Sequence, residues 1–318
     1  MKHNSTATQE KSQALLTAAP GLVWGLLGVG AFSLTVPLTR IAVSGGGMDP
    51  LFVGSGRAVI AALLAAVSLW ITGQKRPSMR QCIRLGVVAI GVVAGFPLLT
   101  SFAMTSVPAS HGAVVIALLP AATAVASALR TKERPRTAFW LAAGLGALVA
   151  VLFAAINGGG VAGLHGADFL LFIAVVVCSM GYAEGGLLAR ELGAWQTISW
   201  ALVLASPVMA SLTALSLSHG VPSASFSGWV SFAYLGVVSM FLGFIAWYRG
   251  LGLGPMSLVS QVQLAQPVLT LGWASILLGE HLGWSTVVGG LAVIACALLA
   301  VRTRNVDSTV PEVLAVDR

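Results

Sequence analysis

The sequence predicts an all-α integral membrane protein of ten transmembrane helices, arranged as two inverted-topology repeats of five, with both termini cytoplasmic. Three observations lead there. Of the 318 residues 57% are hydrophobic and 8% charged, where a soluble domain is about a quarter charged; mean hydropathy is +0.92. Ten apolar runs of membrane-spanning length fill the chain and leave no room for a soluble domain. Landmarks of the first half recur in the second at one constant separation, and an odd number of spans per half turns the second half upside down.

A hydrocarbon core about 30 Å thick takes roughly 20 residues per helix. With Pro, Gly and charge clusters as punctuation, that ruler sets spans at 20–42, 50–72, 84–104, 108–129, 137–156, 168–188, 195–217, 227–249, 255–278 and 284–301. The chain then divides into a cytoplasmic N-terminal tail (1–19), a first five-helix unit (20–156), an outer linker (157–167), a second five-helix unit (168–302) and a cytoplasmic C-terminal tail (303–318). The polar start "MKHNSTATQEKS" precedes an apolar run of full span length, which favours a retained helix over a cleaved signal peptide.

The basic residues orient these spans. With an internal N-terminus, fifteen of the seventeen Lys and Arg fall in cytoplasmic connections or tails. They include Lys75, Arg76, Arg80 and Arg84, then Arg130, Lys132, Arg134 and Arg136, then Arg190 and Arg249. The remaining two, Arg40 and Arg57, lie within or at the ends of spans, and the outer loops carry none. The net charge of +7 is thus a topology signal and does not point to nucleic acid. Cys82, Cys178 and Cys296 are scattered through apolar segments at no metal-ligand spacing, so neither a disulfide framework nor a metal site is expected, nor any cofactor.

The internal repeat is read from "VPASHGAVVIALLPAATAVASALRTKERP" (107–135) and "GPMSLVSQVQLAQPVLTLGWASILLGEHL" (254–282). Pro108, Pro120 and Glu133 match Pro255, Pro267 and Glu280 at a separation of 147 residues, without a gap. Inverted repeats are the signature of alternating-access transporters, which bind substrate near the bilayer midplane between the halves. These two Pro-to-Glu blocks, the ten spans and Arg57 early in the second span resemble the EamA-type transporters of the drug/metabolite transporter superfamily, over about residues 20–302. The stretch "GYAEGGLLARELGAWQTISWALVL" further resembles the YddG-type bacterial amino-acid exporters. The resemblance implies a ten-helix basket, an inner-membrane location and export of small metabolites. One departure stands out: Lys132-Glu133 occupies the place where the family more often has Gly-Glu, as in Gly279-Glu280.

Polar groups inside spans are the substrate-site candidates. Gln263 and Gln266 lie about 60° apart around a helix and can share one cavity, whereas Gln261 points about 160° away from Gln263. Pro267 removes its own amide donor, freeing the Gln263 carbonyl either for a ligand or for helix packing. Pro120 does the same to Ile116, and Pro37, Pro97 and Pro207 free the carbonyls of Ser33, Val93 and Val203; these five prolines are read as helix kinks. Ser33 joins the cavity candidates. So does His111, although near the outer end of its span it reads as a rim or hydrogen-bonding residue before a proton carrier. Glu184, in "GYAEGG", is the one carboxylate clearly inside a span, about 24 Å along the helix from Asp168 and so toward the cytoplasm. It serves either a substrate amine or proton, or anchors to Arg190 or water at the inner rim. Arg57, about 10 Å below the outer surface, serves either a structural partner such as backbone carbonyls or a substrate carboxylate. Glu133 and Glu280 precede helices five and ten and read as architectural N-terminal charges. Trp24, Tyr182, Trp247 and Tyr248 are aromatic pocket candidates, while Trp70, Trp195 and Trp229 sit where interfacial belts form.

The function expected is alternating-access export of amino acids or related small metabolites, of broad specificity and facilitated downhill, by a monomer or homodimer in the lipid bilayer. Efflux of cationic drugs is the alternative, which Glu184 and the aromatics could serve. An intramembrane enzyme is remote, because the sequence has no zinc-type HExxH, no paired aspartates and no Gly-x-Ser-x-Gly with a histidine partner.

Overall fold

The computed structural model describes residues 20–132, 135–157, 165–253 and 262–303. Among them there are helices and no strands. In chain order they are α1 (Pro20–Gly45), α2 (Pro50–Ile71), α3 (Met79–Ala103), α4 (Ala109–Thr131), α5 (Thr137–Ile156), α6 (Gly166–Leu192), α7 (Ala194–Ser218), α8 (Phe226–Leu253), α9 (Gln263–Leu278) and α10 (Trp284–Thr303). Nine of these, among the described residues, are long and apolar enough to cross a bilayer; α9 is apolar but shorter. The opening of the span expected at 255–278, with Pro255 and Gln261, lies outside the described residues, as does Glu133. On α5 a stripe of Leu141, Leu145, Leu148, Leu152 and Ile156 stands exposed at helical spacing, Leu141 to 69%. Such a stripe is stable only against lipid.

Local chemistry sets the helix starts. Asp49 caps α2, its carboxylate accepting from the Phe52 amide at 3.1 Å and from the Ser216 hydroxyl of α7. Helix α3 begins at Met79, five residues earlier than expected. A hydropathy ruler stops at Arg80 and Arg84, but Ser78 and Gln81 form a reciprocal capping box that starts the helix before them.

Helices of equal rank pair across the chain: α2 lies along α7 and α5 along α10, while α4 packs on α6. Two π-helical segments sit at matched places, Ala89–Gly95 in α3 and Leu235–Leu242 in α8. In each, an amide reaches back five residues, Phe96 N–H to Gly91 O and Gly243 N–H to Val238 O, and the two bonds are 147 residues apart. The same separation relates Lys132 and Gly279, which end α4 and α9 in the left-handed conformation at φ 57° and 65°. Only glycine adopts that region without penalty. Lys132→Gly is therefore expected to raise stability by about 1 kcal/mol and Gly279→Ala to lower it by a similar amount. Thermal melts in detergent measure both, and an unchanged midpoint in the two variants would contradict the account.

The expected kinks differ from proline to proline. Helix α1 turns at Leu34 ahead of Pro37, and α4 is interrupted at Ala117–Leu118 ahead of Pro120. Pro97 follows the π segment of α3. Helix α7 runs through Pro207 unbroken, because the hydroxyl of Ser206 donates to the Val203 carbonyl at 2.8 Å. The Gln263 carbonyl is not left free either: a 3₁₀ turn at Gln263–Ala265 lets it accept from the Gln266 amide, three residues on.

Candidate functional site

The polar residues expected in spans separate into a central group and two end groups. The central group surrounds a narrow void where α1, α2, α3, α4, α6, α8 and α9 converge. Its lining includes Phe32, Thr35, Arg57, Tyr182, Phe244 and Gln266. An adjoining space, sharing Val36, Leu119 and Gln266 with it, is lined by Gln263, Pro120, Pro267 and Thr270. The two matched π segments border the void, through Val92 on α3 and through Ser239 and Met240 on α8, whereas a third, Ile41–Gly45 at the end of α1, does not. Free space amounts to little more than a water molecule in each.

Aromatic rings wall one side. Phe32 lies 4.7 Å from Phe244 and 6.5 Å from Tyr182, and Tyr182 lies 6.2 Å from Trp247, centroid to centroid. The indole N–H of Trp247 and the hydroxyl of Tyr248 are buried without partners among the described residues. Gly185 on α6 makes room for that hydroxyl, since a Cβ there would stand 2.1 Å from it. The glutamines share this unpaired character. Gln263 is 2% and Gln266 7% exposed, and the Nε2 of the first and the Oε1 of the second have no hydrogen-bond partner among the described residues. Buried amides without partners are costly, so these two stand apart from the rest of the lining. Opposite groups in the same lining are satisfied internally: Thr35 and Ser239 share a 2.8 Å hydroxyl hydrogen bond between α1 and α8.

Several candidates fall elsewhere. The Ser33 carbonyl accepts from the Thr270 hydroxyl at 2.9 Å, and its own oxygen accepts from the Trp273 indole at 3.1 Å. Those bonds join α1 to α9, so the carbonyl released by Pro37 is spent on packing. Trp24 carries the Arg249 guanidinium 4.6 Å above its ring, away from the void. His111 bonds Asp168 through Nε2 at 2.6 Å, and Asp168 also caps α6 by accepting from the His165 amide at 2.9 Å. His111 is thus a link between α4 and α6 near one end of the bundle.

Glu280 caps a different helix from the one it precedes. Its two carboxylate oxygens accept from the amides of Ala109 at 2.7 Å and Ser110 at 2.8 Å, the first turn of α4. That turn has no side-chain cap of its own, because Pro108 precedes it.

Glu184 is bound differently from either expectation. It pairs with Arg130, Nε to Oε2 at 2.6 Å, and with Arg84, whose guanidinium also holds Glu191. Arg190 is exposed. Two arginines from α3 and α4 therefore tie down a carboxylate of α6 that is almost fully buried. Beside this cluster, an apolar groove floored by α4 opens between α5 and α6 toward the lipid face.

Sequence reasoning did not single out Phe32, Thr35, Ser239 or Phe244, which are ordinary membrane-helix residues that gain meaning only from being gathered together. Nor did it pair Glu184 with Arg84 and Arg130, which requires knowing that α3, α4 and α6 meet.

Comparison with known proteins adds four findings. The sequence model of the EamA-like transporter family matches twice, at residues 19–155 and 165–302. A Bacillus subtilis (strain 168) protein described as "Uncharacterized transporter YdeK" is 45% identical over 282 residues, 89% of this chain and 97% of that protein. A "Probable terminal-alkyne amino-acid exporter" of Streptantibioticus cattleyicolor is 26% identical over 279 residues, 87% of this chain and 92% of that protein. A solved crystal structure shares the fold at 18% identity, with a TM-score of 0.60 over 90% of this chain and 98% of that one.

Proposed function

Because this chain belongs to the EamA-like transporter family, and is accordingly a multi-pass inner-membrane transporter and not an enzyme, we propose that it exports amino acids or related small metabolites by alternating access. The central void carries the reading. It lies where helices of both halves converge, and it combines an aromatic wall with the unpartnered amide atoms of Gln263 and Gln266. That is the composition of a small-molecule site: mostly apolar, with a few fixed polar groups. Ten spans in two inverted halves, with the termini and the Arg84–Glu184–Arg130 cluster on the cytoplasmic side, complete the proposal. The matched π segments and left-handed caps at 147 residues support it. The name of the Streptantibioticus relative favours amino acids among small metabolites.

Facilitated downhill export fits better than proton coupling. Among the described residues no carboxylate or histidine lines the void: Glu184 is held by arginines at one end, and Asp168 by His111 at the other.

Purified protein in liposomes, screened for efflux of individual amino acids with and without a proton gradient, tests the proposal. Amino-acid flux that persists without the gradient is expected. Absence of any amino-acid flux beside clear flux of a quaternary dye would overturn it in favour of cation efflux. Gln266→Leu is expected to lower flux about tenfold at unchanged folded yield, the worth of one or two hydrogen bonds; a fall in yield at unchanged specific flux would assign the glutamine to packing.

A further inference from the structure

Arg57 is unlike the other charged groups deep in the described helices. Glu184 has two arginines and Asp168 a histidine, whereas Arg57, 1% exposed, makes one hydrogen bond, from a terminal nitrogen to Thr100 Oγ1 at 3.4 Å. Its Nε has no partner among the described residues. The Thr100 hydroxyl is itself donated to the Phe96 carbonyl at 2.6 Å, so it meets the guanidinium only as a distant acceptor. Neither of the structural partners a buried arginine normally takes, a carboxylate or a set of backbone carbonyls, reaches it among the described residues. Removing a cation from water without a counter-charge is strongly unfavourable, and the arrangement makes sense if the counter-charge arrives from outside.

The position of Arg57 says where it would arrive. The residue lines the void together with Gln266, Phe32, Tyr182 and Phe244, and no Asp or Glu joins that lining. A planar guanidinium fork at the edge of an apolar enclosure matches a carboxylate, two parallel N–H donors to two oxygens. With a single positive charge the site neutralises a monoanion; a phosphate dianion would leave one charge buried and uncompensated. The unpartnered Gln266 Oε1 is an acceptor within the same lining, suited to an ammonium group. A cation lacking a carboxylate would instead meet the uncompensated charge of Arg57.

We propose that Arg57 anchors the carboxylate of the transported molecule, so that substrates of this protein bear one free carboxylate and an uncharged, apolar side chain. The inference rests on the transport reading above, and its test separates the two. L-leucine is compared with 4-methylpentanoate, which keeps the carboxylate and lacks the amine, and with leucinamide, which keeps the amine and lacks the carboxylate. Binding is read as thermal stabilisation of the purified protein, and transport as competition against leucine efflux from proteoliposomes. Leucine and 4-methylpentanoate are expected to bind and compete, and leucinamide at least about tenfold more weakly, the worth of a charge-assisted hydrogen bond. Arg57→Gln is expected to raise the leucine KM at least about tenfold, to abolish that discrimination, and to leave unliganded stability unchanged or higher. Arg57→Lys should retain part of the selectivity, and Thr100→Val should behave as wild type.

Equal potency of leucinamide and 4-methylpentanoate would overturn the anchor while leaving transport standing. Carboxylate-selective binding without flux would overturn transport and leave the anchor. An Arg57→Gln variant that fails to fold, matched by Thr100→Val, would show that the arginine is structural and end the proposal.

Discussion

Gly91→Ala is expected to cost about 3 kcal/mol, the upper range for overpacking a fixed contact, and to lower both thermal stability and folded yield. A Cβ on Gly91 would stand 2.3 Å from the Val177 carbonyl oxygen and 3.1 Å from the backbone of Gly181. The obstructing atoms are main chain of α6, so no rotamer change relieves the clash, and α3 and α6 would have to separate. Apolar area cannot offset the separation, because lipid solvates the exposed faces as well as protein does; contact at short range is what holds membrane helices together. Gly144→Ala on α5 is the matched control. Nothing lies within 4 Å of its added methyl, and alanine favours the helix by up to about 1 kcal/mol. Melting curves of both variants in the same detergent decide the matter. A Gly91→Ala protein as stable as wild type would mean that the α3–α6 crossing yields more readily than its geometry implies.

Glu184→Gln is expected to loosen the end of the bundle where α3, α4 and α6 meet without unfolding the protein. The substitution leaves Arg84 and Arg130 facing a neutral amide. Arg130 is half exposed and Arg84 about a quarter, so water screens part of the loss, and about 2 kcal/mol is the expected effect, between the values for surface and buried pairs. If the cluster fastens the closed state, that shift raises the population open at this end about thirtyfold. Cys178 supplies the readout: it lines the void and is buried in the closed form. In a background with Cys82 and Cys296 replaced by serine, maleimide labelling of Cys178 in inside-out vesicles should accelerate by about that factor in Glu184→Gln. Unchanged labelling would mean that the ion pairs do not gate access.

How much of this was legible beforehand depends on the range of the interaction. Apolar run length is a local property, and it placed the nine long helices to within a few residues, apart from the α3 start, where capping by Ser78 and Gln81 outweighs the charge of Arg80 and Arg84. The unpaired glutamines were visible because an amide in an apolar run is anomalous wherever the helix packs. The aromatic wall was not, since Phe32 and Phe244 look like any lipid-facing phenylalanine until α1 and α8 are brought together. The fates of the proline-released carbonyls were hidden for the same reason: Ser206 satisfies one from its own helix, and Thr270 satisfies another from 237 residues away. Arg84 was countable as a cytoplasmic charge, yet its bond to Glu184 spans 100 residues of sequence and only the fold reveals it.

The capping of α4 by Glu280 also sets an order on biosynthesis. Ala109 leaves the ribosome 171 residues before the acid that will bind its amide, an interval of about 10–30 s at ordinary elongation rates. Throughout that time the first turn of α4 holds two bare donors that only water or lipid headgroups can occupy. The first turn of α4 thus waits, incomplete, for a residue that the second half of the chain supplies.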